Sequence, residues 1–360
     1  MIIFGICFIF LIFSYFLILY LFMIYSNKKE KVNNIISFAA LFFIFIHILI
    51  ILILMFQDVS FHFDLIPLWL STLALPILIL IFIVLLSSLV GYLYKSGKLR
   101  DTYKKKLKEK SDARKDLYRK IPHILIFIGI LFLWLIGSYI IYSGTGSLDG
   151  MIPSENNTLY LYLQVLTTPN IIHDVLFSLG WFFYLLFFFF YIFTLIMLVN
   201  EYTRKSHYFS FPFNFICNIF LNEEERQGYG TYLYFAVGHM FAAFTCPPMV
   251  FFSILGTSSI ADLVASQIGI RYGKNRISFN KKKTWEGAIA GFLASFILSF
   301  IFIGFIWSII FSIAFTLFDV LTNKPLDASD NLIIPIGLSV LYFLIRFLFN
   351  LNYFTLIIGA

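Results

Sequence analysis

The stretch 278-SFNKKKTWEGAIAGFLAS-295 places three consecutive lysines directly before an apolar run. Thr284, which follows the lysines, is a residue type favoured at helix N-caps, so the pattern predicts a helix that begins just after it. The start of a helix carries free backbone N–H groups and a partial positive charge, and both attract phosphate oxygens. The stretch therefore predicts a cationic helix start at the edge of an apolar segment.

Apolar segments of this kind recur along the whole chain. Of its 360 residues, 60% are hydrophobic and only 12% are charged, whereas soluble proteins carry about 25% charged residues. Because about 20 apolar residues cross a bilayer as a helix, we expect an all-α, multi-pass membrane protein with about ten spans. The predicted spans are roughly 2–25, 35–56, 65–94, 121–142, 172–200, 229–245, 248–270, 285–303, 305–320 and 332–352. The net charge of +7 then indicates membrane topology rather than nucleic-acid binding.

The basic residues predict the orientation, because Lys and Arg favour cytoplasmic loops. If the N-terminus lies outside, every Lys and Arg except Arg346 falls on the cytoplasmic side, and Arg346 lies within a span. The loops 57–64 and 143–171, which would lie outside, contain no Lys or Arg. The reverse orientation would expose nearly all of this charge outside, so we expect the N-terminus to be outside.

The predicted cytoplasmic side collects a first polar cluster within 116-DLYRKIPHI-124. If this segment is helical, Asp116 and Lys120 share one face, and so do Arg119 and His123. Pro122 suits the first turn of the span that is predicted to follow. From spacing alone, the cluster is also typical of a positively charged anchor with a solvated histidine.

Carboxylates and further basic residues form three more groups on the same side. Asp262 lies inside an apolar run, where an ionised carboxylate is costly unless it is paired, bound to metal or hydrated. Arg271, Lys274 and Arg276 add to the lysine cluster, although such a surface also suits anionic lipid. Asp319 ends the ninth predicted span, and Asp330 with Asn331 begins the tenth.

Carboxylates together with lysines favour nucleotide chemistry, because carboxylates bind Mg²⁺ and lysines neutralise phosphate charge. A Walker A loop is absent, since 269-GIRYGKN-275 has the wrong spacing and no Ser or Thr after its lysine. We therefore expect a nucleotide, rather than a standard ATPase reaction, at the cytoplasmic surface.

Four short motifs in chain order carry a resemblance to a known family. The matching residues are Asp116, Arg119, Lys120 and His123; Ala261, Asp262, Gly273 and Lys274; Lys283, Thr284, Glu286 and Gly287; and Asp319, Asp330, Asn331, Leu332 and Pro335. The chain resembles the CTP-dependent lipid-alcohol kinases (dolichol kinase, phytol kinase and the yeast-type diacylglycerol kinase), which are relatives of phosphatidate cytidylyltransferase. The resemblance covers roughly residues 112–340, and Asp116 and Asp319 stand where that family usually has Glu.

The resemblance implies phosphoryl transfer from CTP, with Mg²⁺, to the hydroxyl of a membrane lipid alcohol such as dolichol, phytol, another polyprenol or diacylglycerol. It implies Asp262, Asp319 and Asp330 as metal ligands, with Asp262 and Asp330 central to catalysis and Asp116 or His123 as the proton acceptor. The expected nucleotide-binding residues are Arg119, Lys120, Lys274, Lys281, Lys282, Lys283, Thr284, Glu286, Gly287 and Asn331.

Two alternatives to the kinase remain open from the sequence. A cytidylyltransferase would make a CDP-lipid, but its closing signature of basic residues and histidine is absent, because only Lys324 and Arg346 are basic after Lys283 and no histidine follows. A transporter or scaffold would use the charge only for orientation. The expected domains are 1–111, with the first spans and a basic loop, and 112–360, with the catalytic site. The expected location is an endoplasmic reticulum or prokaryotic cell membrane, with the active site on the cytoplasmic side.

Overall fold

The computed structural model describes residues 31–57, 78, 81–90, 92–93, 110–145, 181–202, 221, 228–322 and 326–356 of the chain. The helices are α1 (Lys31–Gln57), α2 (Ile81–Val90), α3 (Asp112–Thr145), α4 (Trp181–Tyr202), α5 (Thr231–Thr245), α6 (Pro248–Gly256), α7 (Asp262–Tyr272), α8 (Trp285–Ile303), α9 (Phe305–Leu321) and α10 (Asp330–Phe349). A single π-helical turn, Thr257–Ala261, joins α6 to α7. These residues form no strand, and the predicted all-α class is confirmed for them.

Four helices in the described part of the chain are long and apolar enough to cross a membrane. They comprise Asp112–Gly144, the continuous segment Pro248–Tyr272, Trp285–Ile303 and Asp330–Phe349. Each coincides with a predicted span. The total of ten spans and the orientation of the N-terminus stay predictions, and the predicted first span at 2–25 lies outside the described residues.

The chain divides into two compact units. Unit 1 comprises Met1–Lys108 and Asp149–Met240, and unit 2 comprises Glu109–Leu148 and Phe241–Ala360. The predicted domain boundary between residues 111 and 112 lies close to the break after Lys108. The predicted segment 112–360, however, is shared between the two units.

Unit 1 is held by polar contacts within an apolar interior. The Tyr234 hydroxyl donates to the Asn34 side-chain oxygen at 3.2 Å, and the backbone N–H of Gly230 donates to the Glu201 carboxylate at 2.8 Å. The His239 ring stacks against Phe190 with centroids 5.7 Å apart. None of the residues predicted from the sequence as site residues belongs to this unit.

Unit 2 contains an antiparallel pair of helices, α8 and α9, that turns at Gly304. Gly304 has a φ of 82°, a conformation that glycine adopts without the penalty of a Cβ. A Cβ there would lie 2.7 Å from the Phe354 carbonyl oxygen, because residues 352–356 run back along the end of α8. The expected division of the apolar stretch at Gly304 agrees with this break between two helices.

Helices α7 and α8 pack closely enough for their backbones to touch, because α8 has glycines at positions 287 and 291, four residues apart. A Cβ on Gly287 would lie 2.6 Å from the Ala265 carbonyl oxygen, and one on Gly291 would lie 2.8 Å from the Ala265 Cβ. Small residues permit this approach, which is typical of helix pairs in membranes. The packing brings the helix start of α8, and the lysines before it, against the end of α7.

Helix α3 differs from the sequence prediction at Pro122. The proline was expected in the first turn of a new helix, but α3 continues through it from Asp112 to Thr145. Proline removes one backbone hydrogen bond from a helix interior. Membrane helices tolerate this loss where neighbouring groups support the backbone, and the side chains of Asp116 and Lys120, which precede Pro122, are hydrogen-bonded to α7.

Candidate functional site

Five helix ends meet at one end of unit 2, which we call the site end. Helices α3, α8 and α10 begin there, and α7 and α9 end there, because α7 and α8 are joined by the loop 273–284 and α8 and α9 turn back at Gly304. The other ends of α8 and α9, at Gly304, therefore lie at the opposite side of the unit. All four predicted motifs map to the site end.

Three carboxylates from three helices meet at the site end. Asp319 lies in the last turn of α9 and Asp330 is the first residue of α10. Asp262 is the first residue of α7, so it lies deeper in the unit, at the junction with the π-helical turn, and not at the C-terminal end of α7 itself. One oxygen from each carboxylate lies within 4.8 Å of the other two. These are the three residues that the sequence suggested as metal ligands, and we call them the carboxylate cluster.

Two lysines neutralise part of the charge of the carboxylate cluster. The Lys120 ammonium lies 2.7 Å from Asp262 Oδ2, and the Lys283 ammonium hydrogen-bonds Asp319 Oδ1 and lies 3.9 Å from Asp330 Oδ2. The formal charges of three carboxylates and two ammonium groups add up to a net charge of −1. A further cation would therefore be attracted to the cluster.

The Lys120 ammonium uses all three of its donors inside the protein. Its acceptors are the Asp262 carboxylate, the Asp262 backbone carbonyl at 2.9 Å and the Ser266 hydroxyl at 2.9 Å. The Lys120 side chain is only 6% exposed. Because an ammonium has three donors and no more, the geometry makes Lys120 the buried partner of Asp262. The expected contact of Lys120 with a nucleotide phosphate stays a prediction that this geometry does not favour.

Asp116 has a comparable structural role. Its Oδ2 accepts hydrogen bonds from the Ser266 hydroxyl at 2.6 Å and from Gln267 Nε2 at 3.0 Å, and its Oδ1 accepts one from Arg119 at 3.3 Å. These contacts join α3 to α7. A carboxylate that already accepts three hydrogen bonds is a poor proton acceptor, because each bond stabilises its charged form.

His123 lies one turn beyond Lys120 on α3 and is buried, at 9% exposed. Its imidazole lies within electrostatic range of Lys120, Arg119 and Asp330. His123 therefore lies on the same stretch of α3 as Lys120, which pairs with Asp262.

A π-helical turn directly precedes Asp262. The Asp262 backbone N–H donates to the Thr257 carbonyl, five residues earlier, where an α-helix would use the fourth. Turns of this kind are rare and occur frequently at functional sites. Asp262 Oδ2 pairs with Lys120, while its buried Oδ1 accepts no hydrogen bond from the described residues. Such an oxygen is suited to bind a cation, because a buried polar atom without a partner costs about 1–3 kcal/mol.

The carboxylate cluster fits a divalent cation by composition and spacing. Mg²⁺ and Ca²⁺ prefer oxygen ligands, and all three groups offer oxygen. A point equidistant from three atoms spaced 4.8 Å apart lies about 2.8 Å from each (4.8/√3), so movements of less than about 1 Å would reach the 2.0–2.6 Å of Mg–O and Ca–O bonds.

The loop 273–284 that carries the lysines is tightly fixed. Asn280 is buried and donates from its side-chain nitrogen to the carbonyls of Val320 at 2.8 Å and Thr322 at 2.7 Å, at the end of α9. The Ile277 backbone N–H donates to the Lys283 carbonyl, and the Lys283 N–H donates to the Asn280 carbonyl. Asn280 thereby holds the loop against the helix that carries Asp319. Sequence reasoning missed Asn280, whose only signal was its position beside the lysines.

The start of α8 is capped within the chain. Thr284 is the N-cap, as predicted, and its hydroxyl accepts from the Gly287 N–H at 3.2 Å. The Trp285 N–H donates to the Asn275 carbonyl at 2.9 Å, and the Ala288 N–H donates to the Thr284 carbonyl at 3.0 Å. Because these N–H groups already have partners, the expected phosphate cradle of backbone donors is not open in this structure.

Glu286 also acts on the chain itself. Its carboxylate accepts from the backbone N–H groups of Lys274 at 3.2 Å and Asn275 at 3.1 Å, and from the Asn275 side chain at 3.0 Å. These contacts fix the first half of the loop rather than aiming the carboxylate at the cluster. The expected role of Glu286 in nucleotide binding stays a prediction, which these contacts within the chain do not favour.

The remaining predicted residues lie around the mouth of the cluster or on the surface. Lys274, Lys281 and Lys282 are exposed. The Asn331 backbone N–H donates to Asp330 Oδ1 at 2.9 Å, which leaves Asp330 Oδ2 directed towards Lys283. The side chains of Asp330 and Lys283 are 22% and 19% exposed, whereas those of Asp262 and Asp319 are 4% and 3% exposed. The cluster therefore opens on the side of Asp330 and Lys283.

The pKa of Lys283, which lies in the loop outside the helices, is raised above its ordinary value. Burial of the ammonium would lower this pKa, but the carboxylates of Asp319, Asp330 and Asp262 outweigh that effect. Lys283 therefore stays positively charged at every physiological pH.

The fold and the site define a class: in its described residues the protein is helical without strands, has four helices long and apolar enough to cross a membrane, and carries a buried lysine–carboxylate cluster in its second unit. Comparisons of the chain with protein-family models, with curated proteins and with solved structures found no match. The functional assignment therefore depends on the site residues themselves.

Proposed function

We propose that this protein is a CTP-dependent kinase that phosphorylates the hydroxyl of a membrane lipid alcohol at the cytoplasmic face of the membrane. The single observation that carries the proposal is the meeting of Asp262, Asp319 and Asp330 beside Lys283. Three helices supply this group, and Asp262 is far in sequence from the other two acids. A hydrophobic bundle has no structural need for three carboxylates at one point, because buried charges are costly unless they are used or paired.

The ligand set supports a divalent cation at the carboxylate cluster. Asp262, Asp319 and Asp330 would hold Mg²⁺, which when bound would screen the charge of the CTP phosphates. The orphaned Asp262 Oδ1 and the spacing of the three oxygens are the observations that agree with this role.

The side chains around the mouth of the cluster suit the binding of a polyphosphate. Lys283 lies at the mouth, and Lys281, Lys282 and Lys274 line the loop that leads to it. Phosphoryl transfer depends mainly on positioning and on neutralising phosphate charge. We expect Lys283 to contact the transferred phosphoryl group and the exposed lysines to attract the nucleotide from solution.

The reaction transfers one phosphoryl group in line. The lipid hydroxyl oxygen forms a bond to the γ-phosphorus, the bond from that phosphorus to the β,γ-bridging oxygen breaks, and CDP leaves with that electron pair. His123 accepts the hydroxyl proton, because Asp116 already accepts three hydrogen bonds from Arg119, Ser266 and Gln267. The lipid alcohol reaches this point from the bilayer, since α3 carries a long row of exposed apolar side chains beyond the site end.

The test is an assay of the purified protein in lipid nanodiscs with CTP labelled at either the α- or the γ-phosphate. Dolichol, phytol, geranylgeraniol and diacylglycerol are offered in parallel, with Mg²⁺ and with ATP as a competing donor. A kinase transfers the γ-label to lipid and releases CDP. Transfer of the α-label with release of pyrophosphate would instead identify a cytidylyltransferase, and no transfer together with no effect of CTP on thermal stability would favour a transporter or scaffold.

The key variant is Asp262→Asn, which we expect to abolish transfer while the protein still accumulates in membranes. The matched control is Asp112→Asn, because Asp112 is the first residue of α3, its side chain is 90% exposed, and among the described residues its ion-pair partner is Lys115. Undiminished transfer by Asp262→Asn would remove Asp262 from the mechanism.

A further inference from the structure

The Lys283 ammonium occupies the place where a cation would enter the carboxylate cluster. It bonds Asp319 and lies near Asp330, on the side where the cluster is open. Asp262 and Asp319 are almost fully buried, with side chains 4% and 3% exposed, whereas Asp330 is 22% exposed. A cation that approaches from solution would therefore meet Lys283 before it reaches Asp262 Oδ1.

A divalent cation and the lysine ammonium cannot share this position. A cation bound centrally would lie about 2.8 Å or less from the same Asp319 and Asp330 carboxylates. Two positive charges at such short range repel each other strongly where water is largely excluded. If the cation binds between the carboxylates, the Lys283 ammonium must therefore move away from them.

The two lysines of the cluster differ in their freedom to move. Lys120 is 6% exposed and has its three donors occupied by Asp262 and Ser266. Lys283 is 19% exposed, and its contacts to the cluster are made by its ammonium alone. Its backbone is fixed on both sides by Ile277 and Asn280, so a displacement would rotate only the flexible four-carbon side chain.

We propose that Lys283 is a built-in counter-ion that a divalent cation displaces, so that cation binding turns its ammonium from the carboxylates towards the mouth of the site. In the absence of the cation, Lys283 balances the cluster and keeps three carboxylates together. Once the cation is bound, the same ammonium is released for a phosphate group. This inference rests on the proposed function and adds an order to it: the cation binds first, and the lysine becomes available afterwards.

The test measures the accessibility of the Lys283 amine without any nucleotide. Purified protein in micelles is treated briefly with an acylating reagent for amines, in the presence and absence of Mg²⁺ or Mn²⁺, and each lysine is quantified by mass spectrometry. We expect the acylation rate of Lys283 to rise several-fold with the cation. Lys281, which is exposed and two residues away, is the internal control and should not change.

Two variants make the result specific to the cluster. In Asp262→Asn the cation loses a ligand, so the rise at Lys283 should disappear at the same cation concentration. In Lys283→Gln the competing charge is gone, so Mn²⁺ should bind several-fold more tightly, as followed by the electron paramagnetic resonance of free Mn²⁺. If Lys283→Gln does not fold, the acylation measurement on the unmodified chain still tests the proposal.

The inference and the proposed function can fail separately. If CTP-dependent transfer is found and Lys283 acylation does not respond to Mg²⁺ or Mn²⁺, the kinase stands and the displacement is wrong. If Lys283 acylation rises with the cation and no lipid is phosphorylated, the cation-linked lysine stands and the kinase is wrong. A rise at Lys281 equal to that at Lys283 would indicate a general effect of the cation and would overturn the displacement.

Discussion

The buried pair of Lys120 and Asp262 allows a quantitative test of the site. The side chains are 6% and 4% exposed, and their charged atoms lie 2.7 Å apart. Removing one member of a buried ion pair leaves an uncompensated charge, which costs about 3–5 kcal/mol. We therefore expect Lys120→Met, which keeps the length of the side chain, to lower the free energy of unfolding by about that amount.

The substitution of the partner residue, Asp262, and the double variant complete a thermodynamic cycle. Asp262→Leu should destabilise by a similar amount, because it leaves the Lys120 ammonium buried without its carboxylate. The double variant Lys120→Met with Asp262→Leu removes both charges, and replacing a whole buried pair with apolar residues is often neutral or stabilising. We expect the double variant to unfold within about 1–2 kcal/mol of the original chain, and a coupling energy that far exceeds the about 0.3–0.5 kcal/mol found for independent sites.

The assay is reversible unfolding in mixed micelles with increasing denaturing detergent, followed by tryptophan fluorescence. Trp134 on α3 and Trp307 on α9 are buried in unit 2 and report its packing. The matched control is the exposed pair of Lys115 and Asp112, for which a cycle should give about 0–1 kcal/mol. Additive losses in the Lys120 and Asp262 cycle would refute the reasoning, because they would mean that the two residues do not act as a pair. Transfer activity should be absent from the double variant even though its stability is restored.

Three further predictions follow from individual contacts. Asn280→Ala should destabilise unit 2 by about 1–3 kcal/mol or more, because it leaves two buried carbonyls at the end of α9 without donors; unfolding in micelles measures this, and a loss below about 0.5 kcal/mol would contradict it. Gly287→Ala should destabilise the packing of α7 on α8, since its Cβ would lie 2.6 Å from a backbone oxygen, whereas Gly129→Ala should be neutral because no described residue outside its own helix turn comes within 4 Å of its Cβ. Gly304→Ala should lower thermal stability through the strain of its φ of 82° and the nearby Phe354 carbonyl.

The meeting of the three carboxylates could be expected from the sequence for a topological reason. In a bundle of spanning helices, the chain reverses direction at each turn, so alternate turns lie on the same side of the membrane. Asp319 and Asp330 flank one turn, and Asp262 precedes another turn on the same side. Charge counting over the loops was sufficient to place all three at one end, because Lys and Arg avoid crossing a membrane.

The sequence could not show which acid pairs with which base. The pairing of Lys120 with Asp262 depends on the rotation and depth of α3 against α7, and both are properties of packing rather than of spacing along one helix. The expectation that Lys120 binds a nucleotide phosphate did not include this packing, which places its ammonium on the buried side of the site beside Asp262. The π turn before Asp262 and the role of Asn280 are similarly invisible, because neither has a distinctive residue pattern.

The sequence also could not show which N–H groups at the start of α8 are used within the chain. A helix N-terminus has free N–H groups only when its own loop does not use them, and here Asn275 and Thr284 do. The same loop, however, becomes rigid through those contacts, and rigidity is what a site that works by positioning requires. The hydrogen bonds that occupy these N–H groups thus fix the backbone that carries Lys283. We therefore expect phosphate to be bound by the flexible Lys283 ammonium, which lies between the carboxylates and the solvent, rather than by backbone N–H groups.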